Sequence, residues 1–307
     1  MKTIPITSIE GVRIGQVSDH DNLTGCTVLF CPSGAVGGVS VRGGAPGTRE
    51  TDALHPSRLV SEVHAIFLTG GSAYGLRVAD GIMDYLEEQE IGFETEAARV
   101  PIVSGAVIYD LNEGAPHVRP DAAMGRLACE RVSNAFDVGR YGAGTGATIG
   151  KVRGKEGQMN GGIGAAACQI GDVKMGAVVA VNCFGDVFHP LTGKRLAGVT
   201  GEQSVEDILL SGNIPDQKRE NTTIGVIVTN ASLSKEESTK LADIGHNGFA
   251  RTIRPVHTMV DGDTLFSMAT GAVKDYSFLQ LSVLAVKVVE EAVISAVIAA
   301  NDLDLSE

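Results

Sequence analysis

Ten residues constrain this chain more than any others: Glu220-Asn221-Thr222-Thr223-Ile224-Gly225-Val226-Ile227-Val228-Thr229. A polar, turn-rich segment, Ser211 to Asn221, runs without a break into an apolar, β-branched stretch suited to a buried strand. The strand therefore starts at an Asn-Thr junction. A cut between Asn221 and Thr222 would leave a free threonine at the head of that strand. Such a residue has a nucleophile in its hydroxyl and a base in its α-amine, whose ordinary pKa is about 7.7–8. The same dipeptide also reads as a plain strand start, with Asn closing the turn and Thr supplying β-propensity. The rest of the chain has to decide between the two.

Around this junction, short apolar runs alternate with helical stretches. Cys26-Thr27-Val28-Leu29-Phe30 and Ala65-Ile66-Phe67-Leu68-Thr69 read as strands, the second closed by Gly70-Gly71. The spacing of Leu76, Val78, Ala79, Ile82, Met83 and Leu86 predicts a helix over 76–89. A second helix is expected over 122–132, and strands over 176–181 and 224–229. A long helix over 233–250 would be capped by Ser234 with Glu237 three residues on. The last helix is expected over 277–300. The pattern is that of an α/β protein, with no internal repeat. Gly201 to Asn221 is the best linker candidate, and its polar end is where a surface loop open to cutting is expected.

Composition narrows the function classes. The chain has 307 residues, 43% hydrophobic and 20% charged, which suits a globular protein with a substantial core. A net charge of −12 argues against nucleic acid as the main partner. The start, Met1-Lys2-Thr3-Ile4-Pro5, shows no long apolar signal region, and the expected location is the cytoplasm. The five cysteines, Cys26, Cys31, Cys129, Cys168 and Cys183, form no Cys-x-x-Cys pair and read as buried free thiols. The apolar stretch 279–300 is interrupted by Lys287, Glu290 and Glu291, so a buried helix is expected rather than a membrane span.

Several constellations could carry chemistry. Asp261-Gly262-Asp263 follows Pro255-Val256-His257-Thr258-Met259-Val260. If the strand continues through it, the two carboxylates share a face and need a cation, a proton or donors. An N-terminal ammonium and a threonine hydroxyl would supply these. A solvated Asp-Gly turn and an Asp-x-Asp metal site are the other readings. Asn182, closing the apolar run Val178-Val179-Ala180-Val181, either caps a turn or donates its amide to an oxyanion. Gly70-Gly71-Ser72-Ala73-Tyr74-Gly75 resembles a nucleophile elbow but has the wrong spacing. Tyr141-Gly142-Ala143-Gly144-Thr145-Gly146 lacks the spacing of a dinucleotide loop, so no nicotinamide cofactor is expected. Lys151 follows that loop as a surface lysine or an active-site cation. The seven histidines show no ligand spacing, and no metal site is expected.

Taken in order, these segments resemble the DmpA-like peptidases, a family that includes L-aminopeptidase/D-esterases, β-peptidyl aminopeptidases and the nylon-oligomer endohydrolase. The resemblance rests on Leu68-Thr69-Gly70-Gly71-Ser72-Ala73-Tyr74-Gly75-Leu76, Gly142-Ala143-Gly144-Thr145-Gly146-Ala147, Asn160-Gly161-Gly162-Ile163-Gly164, Asn221-Thr222-Thr223-Ile224 and His257-Thr258-Met259-Val260-Asp261-Gly262-Asp263-Thr264. It spans nearly the whole chain.

The resemblance implies an αββα four-layer sandwich like that of N-terminal-nucleophile hydrolases, with different connectivity. It implies a single catalytic domain over 1–307 that cuts itself into an α-part, 1–221, and a β-part, 222–307. Thr222 matches the nucleophile, Asp261 and Asp263 its neighbouring pair, Asn182 the oxyanion asparagine, Tyr109 an active-site tyrosine and Lys151 the lysine of the nylon-hydrolase branch. Asn-Thr and Asp-Gly-Asp also lean toward that branch. The expected substrate is a short peptide or an ω-amino-acid oligoamide, hydrolysed without a cofactor by a homotetramer of processed protomers. The other expectations are an aminopeptidase or esterase releasing N-terminal residues, an acyltransferase of ornithine-acetyltransferase type, a metal-dependent transferase using Asp261 and Asp263, and an unprocessed binding protein.

Overall fold

The computed structural model describes residues 1–212 and 221–304. Ten strands form one hydrogen-bonded sheet: β1 (Lys2–Thr3), β2 (Arg13–Asp19), β3 (Thr24–Val41), β4 (Thr48–Arg49), β5 (Glu62–Thr69), β6 (Val103–Val107), β7 (Gly162–Ile170), β8 (Val173–Asn182), β9 (Thr222–Ala231) and β10 (Thr264–Val273). The order across the sheet is β1-β7-β8-β9-β10-β3-β5-β6-β4, with β2 on the free side of β3. Most pairs are antiparallel, while β9 with β10 and β5 with β6 are parallel.

The long strand β3 lets one sheet act as two layers. Residues 36–41 pair with β10, and residues 26–30 pair with β5 and β2. Between them the register breaks at Pro32-Ser33-Gly34, where Pro cannot donate and Gly34 takes a φ of +76°. The two halves then close face to face over a shared core. Leu29, Ile66 and Leu68 from one half meet Val178, Ala180, Ile224, Val226 and Phe266 from the other.

Helices cover both outer faces. Helices α1 (Val78–Glu88) and α2 (Ala122–Glu130) pack Val78, Ala79, Ile82, Leu86 and Ala128 against Cys26, Val28, Phe30 and Phe67. On the far side, α4 (Lys235–Thr252) and α5 (Phe278–Ala300) pack against Met175, Ala177, Val179, Ile227 and Leu265. The layer order is therefore helix, sheet, sheet, helix. Strands β8 and β9 face apolar layers on both sides, which is why their sequences run almost without polar breaks. Each fully buried Ile, Val or Phe there is worth about 1.5–3 kcal/mol relative to exposure.

The expected elements fall where the periodicity puts them, with better-defined ends. Ser234 and Glu237 form a reciprocal capping box at α4, and Ser277 caps α5. Helix α5 buries Leu281, Leu284, Val288, Val289 and Val293 against the sheet. Among the described residues no helix is long and apolar enough to cross a membrane. All five cysteines are buried and free.

The expected linker is corrected in its first half. Residues 205–210 form α3 (Val205–Leu210), capped by Ser204 and Asp207, with Val205 and Ile208 in a small core beside Val152, Phe184 and Val199. The polar flanks hid a helix of under two turns. The stretch 213–220 lies outside the described residues.

Candidate active site

The start of β9 is not the exposed end of a loop. Asn221 and Thr222 are 3% and 5% exposed, because Asn221 already pairs with Asp261 and Thr222 already belongs to the sheet. The junction expected on the surface is thus inside the protein. Thr222 stands in register with Asn182, the last residue of β8. The Thr222 hydroxyl donates to the carbonyl oxygen of Asn221. The Gly262 N–H also donates to that oxygen, at 2.9 Å.

The Asp-Gly-Asp segment closes over this point. It is neither a solvated turn nor a continuing strand: β10 begins only at Thr264, and Asp261 and Asp263 are 1% and 0% exposed. Its main chain is held by the loop after β3. The Asp261 carbonyl accepts from Ala45 N at 2.8 Å, and the Asp263 carbonyl from Arg42 N at 3.0 Å. Gly262 has to be glycine here, since a Cβ would lie 2.8 Å from Thr222 Oγ1 and 2.7 Å from the Ala45 carbonyl.

The two carboxylates have separate partners. Asp261 Oδ2 accepts from Thr258 N at 2.9 Å and Thr258 Oγ1 at 2.5 Å. Its other oxygen, Oδ1, has no partner among the described residues, and neither does Asn221 Oδ1. Burial, followed by the neighbouring charge of Asp263, pushes the Asp261 carboxyl up to about 6. Asp263 Oδ1 accepts from Thr223 N at 2.6 Å. Asp263 Oδ2 accepts from His257 N at 3.0 Å and His257 Nδ1 at 2.8 Å.

On the other side of Thr222, Asn182 is fully buried and held at both ends of its amide. Its Oδ1 accepts from Thr148 N at 2.9 Å and Lys151 Nζ at 2.9 Å. Its Nδ2 donates to the Tyr109 carbonyl at 3.2 Å. Lys151 reaches this position because Gly150 and Lys151 dock by their N–H groups on the carbonyls of Gly185 and Phe184, just past β8. Gly150 makes that turn in the left-handed region, at φ +70°. Tyr109 arrives two residues after β6, and its carbonyl accepts from Asn182.

Every residue singled out from the sequence thus meets at one place: Asn221, Thr222, Asp261, Asp263, Asn182 and Lys151 by side chain or register, and Tyr109 by its carbonyl. Sequence reading missed His257 and Thr258, which hold the two carboxylates. Their signal was present in the segment His257-Thr258-Met259-Val260-Asp261-Gly262-Asp263, where hydrogen-bonding side chains precede each acid by three and six residues.

The two glycine-rich decoys serve packing. In the Tyr141-to-Gly146 loop, Ala143 N donates to Thr27 Oγ1 and Gly142 N to Ser18 Oγ, so these N–H groups face the protein. A Cβ on Gly144 would come within 2.1 Å of Ile163 N. In the Gly70-Gly71 turn, buried Asp110 accepts from Gly71 N at 2.7 Å and Thr24 Oγ1 at 2.7 Å.

Comparison with known proteins accords with this architecture. The family model for peptidase family S58 matches residues 5–306. An uncharacterized aminopeptidase of Mycobacterium leprae is 42% identical over 297 residues, covering 88% of this chain and 79% of the relative. A 6-aminohexanoate-oligomer endohydrolase of Paenarthrobacter ureafaciens is 37% identical over 272 residues, covering 85% and 73%. Among solved structures, the L-aminopeptidase D-Ala-esterase/amidase of Ochrobactrum anthropi, described as a variant of the Ntn hydrolase fold, superposes with a TM-score of 0.71 at 18% identity, covering 96% of this chain and 86% of that one. A Burkholderia β-aminopeptidase gives 0.66 at 23% identity, covering 96% and 86%. This chain belongs to peptidase family S58 and is a hydrolase of peptide or amide bonds.

Proposed function

We propose that the chain is an autoproteolytic N-terminal-nucleophile hydrolase in which Thr222 is the nucleophile. The observation that carries this reading is the convergence at the head of β9. A buried threonine there lies in register with Asn182, and the turn at Gly262, flanked by two buried aspartates, closes over it.

In the precursor, Thr222 Oγ attacks the Asn221 carbonyl carbon, and its proton passes to the departing Thr222 nitrogen. The C–N bond breaks as a C–O ester forms. Negative charge develops on the Asn221 carbonyl oxygen, where the Gly262 N–H already donates. Water then hydrolyses the ester, giving a carboxylate on Asn221 and an amine on Thr222. In the mature enzyme that amine takes the hydroxyl proton as Thr222 attacks a substrate amide. The ammonium formed is balanced by the buried carboxylates of Asp261 and Asp263. Asn182, oriented by Lys151 and Thr148, is the oxyanion donor, with Tyr109 beside it. Water releases the acyl group. Processed protomers assemble as homotetramers in this reading.

The substrate class is a linear amide: a short peptide or an oligomer of an ω-amino acid such as 6-aminohexanoate. The nylon-oligomer relative, the Asn-Thr junction and the Asp-Gly-Asp turn support it. Removal of N-terminal residues is a second reading, favoured by the aminopeptidase relative at 42% identity. A matched pair of 6-aminohexanoate trimers, one with a free and one with an acetylated amino end, separates the two. Hydrolysis of both supports internal cleavage, and hydrolysis of the free form alone supports the aminopeptidase. Product that forms only when an amine acceptor is added would point to acyl transfer instead.

A further inference from the structure

Behind the Asp-Gly-Asp turn lies an imidazole that the proposed chemistry does not use. His257 gives both its main-chain N–H and Nδ1 to one oxygen of Asp263, at 3.0 and 2.8 Å. The other oxygen of Asp263 holds the N–H of Thr223, the residue after the proposed nucleophile, at 2.6 Å. His257 takes a φ of +57°, in the left-handed region uncommon outside glycine. Its ring meets His246 edge-on with centroids 4.8 Å apart, and lies 6.3 Å from Phe249. His246 puts Nε2 on the Ser40 carbonyl at 2.9 Å, its buried Nδ1 has no partner among the described residues, and burial holds it down to about 4.

The roles of the ring nitrogens follow. A carboxylate only accepts, so the hydrogen in the bond to Asp263 sits on Nδ1. Nε2 is buried and has no partner among the described residues. The ring's one hydrogen bond among the described residues is thus to Asp263, beside the bond from its own main-chain N–H to the same oxygen.

We propose that His257 is a positioning residue of the hydrolase: through Nδ1–H it fixes the Asp263 carboxylate, through Asp263 the main chain at Thr223, and so the aim of the Thr222 hydroxyl. The inference rests on Thr222 being the nucleophile. The chain of contacts is short and mostly shielded, and an error of an ångström at the nucleophile is enough to cost rate.

Three substitutions test it on the full-length protein. His257→Asn puts an amide nitrogen near the place of Nδ1, His257→Gln puts one near Nε2, and His257→Leu removes both. The probe is a linear 6-aminohexanoate oligomer or amino-acid p-nitroanilide that the wild type hydrolyses, with Thr222→Ala run alongside. The expected result is near-normal kcat and processing for His257→Asn, and a kcat lower by about 10²-fold at unchanged KM for His257→Gln and His257→Leu. Equal losses in Asn and Gln variants of equal thermal stability overturn the proposal, as does a change confined to KM. If His257→Leu does not fold, the Asn–Gln pair still decides. An inactive Thr222→Ala beside a fully active His257→Gln removes only this inference. An active Thr222→Ala removes the proposed function and this inference with it.

Discussion

Asn182 and Thr222 stand opposite each other on neighbouring antiparallel strands, one the last residue of β8 and the other the first of β9. That register places their Cα atoms about 4.5–5.5 Å apart. It also places the pair at the end of two almost wholly buried strands. A hydroxyl and an amide donor are thereby set side by side by strand pairing alone.

Asn182→Ala should lower kcat by about 10²–10³ with little change in KM, the usual result of losing one oxyanion donor. It also strands the Thr148 N–H and removes one acceptor of the Lys151 ammonium, so the melting temperature should fall. Steady-state kinetics on folded protein check this. A raised KM at normal kcat would contradict the assignment.

Lys151→Met removes the ammonium 2.9 Å from Asn182 Oδ1 while keeping most of the side-chain length. The amide then loses a donor that orients it. A fall in kcat of about 10- to 100-fold is expected. Full activity in this variant would make Lys151 a bystander.

Asp261 gives a stability signal that depends on pH. Burial and the charge of Asp263 raise its folded pKa to about 6, from an unfolded value of about 3.9. Between those values the folded chain binds more protons than the unfolded chain. Stability therefore falls as pH rises from about 4 to about 6, and stays lower above that. In an uncut Thr222→Ala background, Asp261→Asn abolishes this loss. Its melting temperature relative to Thr222→Ala should be more favourable at pH 8 than at pH 4. The same difference at both values would show that Asp261 does not titrate this way.

Gly262→Ala tests the close approach above the nucleophile. The added methyl lies 2.8 Å from Thr222 Oγ1 and 2.7 Å from the Ala45 carbonyl, so the turn must shift. Both processing and turnover should slow by at least about 10-fold. Wild-type rates would mean that the turn moves freely without consequence.

The layers of the fold were legible because β8, β9, α4 and α5 declare themselves by period and caps. Ser234 with Glu237 is readable as a helix start before any tertiary contact is known. The Asn182–Thr222 register was not legible, since it depends on pairing residues 40 positions apart. Helix α3 was masked by its polar flanks and short length. The burial of Asp261 and Asp263 contradicts the solvated-turn reading of Asp-Gly, because the loop carrying Arg42 and Ala45 covers them and no local pattern announces that cover. His257 escaped notice because a histidine six residues before an acid reaches it here only through a left-handed turn.

The central claim is that this chain makes its own nucleophile at Thr222. The most direct test is intact mass under denaturing conditions, on freshly purified and on incubated wild type and Thr222→Ala. The account predicts two wild-type fragments, 1–221 and 222–307, and a single uncut, inactive Thr222→Ala chain of 307 residues. A wild type that hydrolyses amides while remaining one chain, or a Thr222→Ala protein cut at the same bond, would contradict it.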